Sequence, residues 1–107
     1  MAEVDPRPAS PTIDASVEGG TTLVRIGGEL DLSSIPVVEA ELEPFLRTAP
    51  EHLVFDMAAV TFMDSSGIAM LLRAAERAAH VEVRHPSPAV QLILRATGLS
   101  EVLHVEP

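Results

Sequence analysis

Ile13, Ala15 and Val17 alternate with Thr12, Asp14, Ser16 and Glu18, the period-two pattern of a half-buried strand. Gly19 and Gly20 turn the chain and residues 21–28 supply a second strand, so the two predict an N-terminal β-hairpin ending at the GGELD run. The period then changes. Over residues 34–47, Ile35, Val38, Leu42, Phe45 and Leu46 recur at three- and four-residue spacing with Glu39, Glu41 and Glu43 elsewhere, which predicts a core-facing helix. Pro36 suits its first turn. Pro44 removes a backbone hydrogen bond and crowds the preceding turn, so the helix is expected to kink or stop near it.

HLVFDM, residues 52–57, is a continuous apolar run of strand length and predicts a central strand buried on both faces and parallel to its neighbours. After it, Ile68, Leu71, Leu72, Ala75 and Ala79 form a helical stripe to be buried. Ser66, Met70, Arg73 and Arg77 fall on the side assigned to solvent. VEVRH, residues 81–85, alternates as a strand. In SPAVQLILRATGL, Ser87 caps a helix, Pro88 takes its first position, and Gly98 followed by Leu99 ends it in the left-handed conformation with the usual apolar contact. VLHVE supplies a last short strand.

The predicted order is thus strand, strand, helix, strand, helix, strand, helix, strand. It implies a single α/β domain over residues 12–107, a small, mostly parallel sheet with an N-terminal hairpin, covered by helices through three strand–helix–strand crossovers. The face opposite the helices is left more open, and partners are expected at the loops where strands end. Residues 1–11, broken by Pro6, Pro8 and Pro11, read as a disordered tail.

Composition narrows the chemistry. With 107 residues, 47% of them hydrophobic, the chain has one core and little volume for a deep cleft, so function belongs on the surface. It has no cysteine, which removes disulfides, thiolate ligands and a thiol nucleophile and fits the cytoplasm. No run approaches the roughly 18 apolar residues of a membrane span, and the N-terminus has no apolar signal core. A formal charge of −9 repels nucleic acid and anionic membranes. Glu39, Glu41 and Glu43 form a dense acidic patch, ordinarily just a solvated face but able to steer a basic partner.

TFMDSSGIAMLLRA, residues 61–74, sets Asp64, Ser65 and Ser66 where a strand gives way to a helix. Asp and Ser are good helix caps, and that alone can account for them. A nucleophile elbow is a poor match, because Met63 stands where it needs glycine. His52, His80, His85 and His104 lack metal-motif spacing and read as surface or strand-end residues, so no metal is expected. The glycine pairs lack the lysine of a phosphate-binding loop. Ser65 as a phosphate acceptor is physically better founded, since a helix N-terminus favours added negative charge. Asp64 beside it makes the modified loop strongly anionic, which suits repulsion of a partner. Met70, taken as exposed, suggests a protein contact one turn away.

GELD at residues 28–31, FMDSSG at 62–67 and SPAVQLILRATGL at 87–99 together resemble a STAS domain of the bacterial anti-sigma factor antagonist type. The resemblance runs over most of the chain from about residue 12. It implies that Ser65 is the phosphoacceptor, that Asp64, Ser66 and Gly67 shape its loop, and that Asp31 helps form the same partner-binding surface. Asp31 alternatively only caps the following helix. The resemblance further implies a protein without catalysis or cofactor of its own. Its unphosphorylated form binds a serine-kinase anti-sigma factor and releases the sigma factor; the kinase phosphorylates it and a PP2C-type phosphatase restores it. The same fold also serves as a ligand-sensing module or as an accessory part of transport complexes.

Overall fold

The computed structural model describes residues 11–101 and 103–106; residues 1–10 of the expected tail lie outside them. The described residues form β1 (Thr12–Glu18), β2 (Thr21–Leu30), α1 (Ile35–Leu46), β3 (His52–Met63), α2 (Ser65–Ala75), β4 (His80–Arg84), α3 (Pro88–Thr97), a 3₁₀ turn (Leu99–Glu101) and β5 (His104–Glu106). The sheet follows chain order, with β1 antiparallel to β2 and every later pair parallel. Gly19 closes the hairpin at φ +61 with Glu18 paired to Thr21, a conformation open to glycine at no steric cost.

Because each parallel connection steps one strand in the same direction, right-handed crossovers lay all three helices on one face. Val24, Ile26, Leu53, Phe55 and Val83 from the sheet meet Val38, Leu42, Leu71, Val90 and Leu94 from the helices in one core cluster. Val54 is buried but stands outside that cluster, and His52 is exposed. The run 52–57 is therefore not buried throughout, since its first residue lies exposed and Asp56 only half-buried.

β3 continues past residue 57 to Met63. It has 12 residues against 10 in β2, because two bulges each add one to it. Arg25↔Asp56 is followed by Gly27↔Ala59, and Gly28↔Val60 by Glu29↔Phe62. A Cβ on Gly27 would stand 2.6 Å from Thr12 Oγ1 and 3.0 Å from Ala59 Cβ, so only glycine lets both neighbouring strands close in at the bulge.

α1 stops at Leu46, two residues past Pro44, near the expected place: Pro44 and Ala40, whose carbonyl loses its N–H partner, are exposed to water, while Leu42 and Leu46 are buried on either side and hold the last turn. Two local expectations change. α2 ends at Ala75, short of the stripe drawn through Ala79, whose N–H bonds the Pro50 carbonyl at 3.1 Å. Met70 is 1% exposed and Leu72 38% exposed, the reverse of the expected faces. The cause is a second neighbour. α2 packs on α1 as well as on the sheet, and Met70 faces a groove lined by Leu42 and Leu46 of α1. The C-terminal expectations hold, with Ser87 accepting from the Val90 N–H and Gly98 at φ +74.

Candidate functional site

α2 starts where β3 ends. Asp64, in extended conformation, is its N-cap, and the carboxylate accepts the Ser66 N–H at 2.8 Å while the Asp64 carbonyl accepts from Gly67 and Ile68. Ser65 is thereby the first residue of the helix and is exposed; Ser66 is half-buried. Gly67 is buried, and a Cβ there would meet Met63 Cγ at 2.4 Å and Sδ at 2.9 Å. The missing side chain lets the first turn of α2 sit directly on the end of β3. Of the residues predicted here, Asp64, Ser65, Ser66 and Gly67 make one capped turn, whereas Met70 lies beneath it in the core.

The neighbouring strand ends beside that turn. Leu30 pairs with Met63, and its carbonyl accepts the Asp64 N–H at 3.2 Å, which brings the 31–34 loop against the cap of α2. Asp31 Oδ1 accepts from Ser33 N–H at 3.0 Å, Ser33 Oγ at 2.8 Å and Ser34 N–H at 3.0 Å. The Ser33 hydroxyl first, and the Ser34 N–H after it, hold this carboxyl below its ordinary value, so it stays ionised. Asp31 therefore does organise the turn before α1, and does so at the edge shared with Ser65.

Three residues here went unmarked in the sequence. Buried Ser34 donates its hydroxyl to the Glu29 carbonyl at 2.7 Å and accepts the Asp31 N–H at 2.9 Å, fastening the loop from below. The serine two places before Pro36 was the available signal. Leu32 and Phe62, 79% and 47% exposed, flank the polar turn with apolar surface. The acidic patch is changed: Glu39 is held bidentately by Arg73 at 2.9 and 2.8 Å, and Glu43 by Arg77 at 2.8 and 3.0 Å. Two of its three carboxylates are thus neutralised within the molecule.

A serine hydroxyl presented on a capped helix start, beside an ordered acidic loop at the ends of parallel strands, is the arrangement expected of a STAS domain. The STAS domain family model matches residues 12–107, and the chain belongs to that family. Among similar proteins, the anti-sigma-F factor antagonist RsfB of Mycobacterium tuberculosis is 31% identical over 70 residues, 65% of this chain and 57% of that protein. The chain thus spans little more than half the length of that relative. An anti-sigma-B factor antagonist of Staphylococcus epidermidis is 28% identical over 77% of this chain and 80% of its own. The crystal structure of an anti-sigma factor antagonist from Mycobacterium paratuberculosis superposes with a TM-score of 0.84 at 27% identity, covering 92% of this chain and 86% of the other. The unphosphorylated anti-sigma factor antagonist SpoIIAA shares the fold, with a TM-score of 0.74 at 22% identity over 88% and 87% of the two chains.

Proposed function

We propose that this chain is an anti-sigma factor antagonist whose unphosphorylated form binds a serine-kinase anti-sigma factor in the cytoplasm and frees a sigma factor. Phosphorylation of Ser65 by that kinase ends the interaction, and a PP2C-type phosphatase resets it. The observation that carries this reading is the exposed Ser65 at the first position of α2, on a turn already closed by the Asp64 cap. The names of the similar proteins support it. Ser65 and Ser66, the ionised Asp31, and apolar Leu32 and Phe62 supply the contact surface; the protein works by binding, not by turnover. Nucleic acid has no part in it, and no helix among the described residues is long and apolar enough to cross a membrane.

The test is to incubate the purified chain with ATP and candidate kinase-type anti-sigma factors, measure binding, and map the modified residue by mass spectrometry. One phosphate on Ser65 is expected, with Ser65→Ala still binding but taking up none. Label on Ser66 or Ser87, or no interaction with any such kinase, overturns the assignment.

A further inference from the structure

The sheet face opposite the three described helices carries a cluster independent of Ser65. Parallel pairing sets Glu82 of β4 beside His104 of β5, and Arg84 beside Glu106. His104 Nε2 lies 3.3 Å from Glu106 Oε1 and 3.8 Å from Glu82 Oε1, and the ligand atoms of all three residues fall within 4.8 Å of one another. Arg84 Nε occupies the other side of the same carboxylates, 3.0 Å from Glu82 Oε2 and 4.0 Å from Glu106 Oε2. One imidazole nitrogen and two carboxylate oxygens are therefore gathered in one place, with His104 hydrogen-bonded to Glu106 and the outer oxygens facing the Arg84 cation. Around an ion with tetrahedral bonds of about 2.0 Å, donors stand about 3.3 Å apart, which His104 and Glu106 already do, while Glu82, 3.8 Å from His104, has to draw in on binding.

We propose that Glu82, His104 and Glu106 form a zinc site that ties the short edge strand β5 to β4. The donor set of one imidazole and two carboxylates favours zinc over magnesium or calcium, which take oxygen ligands alone. His104 and Glu82 also line a concavity of about 540 Å³ that reaches His52 and His80, whose rings stack with centroids 5.2 Å apart, so the remaining coordination position opens onto water. Arg84 is a positioning residue for both carboxylates. β5 has only three residues, and the ion would add a crosslink where the ladder is shortest.

The experiment uses the full chain, free of any polyhistidine tag and of metal. It is titrated with Zn²⁺ by calorimetry, melted with and without the ion, and followed by imidazole ¹⁵N NMR. Saturation at one ion per chain, a higher melting temperature and a shift of the His104 Nε2 resonance are expected. His104→Ala and Glu106→Gln should each weaken binding by about tenfold or more. Both side chains are largely exposed, so an unchanged amide spectrum without metal shows that the variants fold. His85→Asn, which removes the imidazole of the separate His85–Asp56 pair and suits the positive φ of that residue, should bind normally, as should Ser65→Ala. Absence of saturable binding, or binding that survives His104→Ala and follows His52 or His80 instead, overturns the proposal and leaves the Ser65 reading untouched.

Discussion

At the scale of single residues, Gly67 shows two opposing effects that magnitudes can separate. Alanine is a better helix former than glycine by about 1 kcal/mol, yet its methyl would overlap the buried Met63 side chain, and overpacking costs about 1–3 kcal/mol. Gly67→Ala is expected to destabilise the fold by about 1 kcal/mol in urea denaturation. In a Met63→Ala background the same change should become neutral or stabilising, because the overlap is gone. An equal loss in both backgrounds would place the strain elsewhere. Gly67 was legible only as part of a motif; the atom it spares, Met63 Cγ, belongs to the preceding strand and enters through the fold. Asp64 and Ser87 were legible outright, since a cap is satisfied within three residues of itself.

At the scale of elements, the Arg73–Glu39 pair joins α2 to α1 and the Arg77–Glu43 pair joins the turn after α2 to α1, above a floor of Leu42, Leu46 and Met70. Such exposed pairs contribute little each, and Arg77→Gln should lower the melting temperature by no more than about 4 °C. Their signature is in the pH dependence. The hydrogen bond from Arg77, then its charge and that of Arg47, hold the Glu43 carboxyl below its ordinary value of 4.5. With a folded value below the unfolded one, the unfolded chain binds more protons between the two. The contribution is thus complete above about pH 4.5 and is lost as the pH falls through the folded value. Unfolding measured from about pH 6 to pH 3 should show a shallower acid decline for Arg77→Gln than for the parent. Parallel curves would remove the pair from the account. The helices themselves were readable from their period, but their faces were not: a stripe of three or four residues per two turns marks one neighbour, and α2 has two. In the same way β3 was cut short at residue 57 because its bulges space Met57, Val60 and Met63 three apart, a rhythm that does not alternate.

At the scale of the whole molecule, the proposed phosphorylation of Ser65 is expected to act on an exterior edge and to leave the interior alone. Phosphorylation of Ser65 adds about −1.5 to −2 charge on a helix start whose dipole favours it by up to about 1 kcal/mol, with Asp64 offsetting part. Fold stability should change by about 1 kcal/mol or less and the amide spectrum only near the turn. Affinity for the anti-sigma factor should fall about a thousandfold, equivalent to about 4 kcal/mol, since a dianion must be desolvated against a surface fitted to a hydroxyl. Ser65→Glu should reproduce only part of this. Widespread spectral change on phosphorylation would show remodelling instead of repulsion. This edge was legible from GELD and FMDSSG, whereas the cluster on the face opposite the helices was not: Glu82 is far in the chain from His104 and Glu106 and meets them only through the register of β4 and β5. The surplus residues in β3 have their own consequence. Residues 52–56 are locked to both neighbouring strands, while the stem from 57 to 63 already departs from strict pairing before it delivers Asp64 and Ser65. The strand that presents Ser65 is therefore held on both sides at its base and on one side, through two bulges, at its tip.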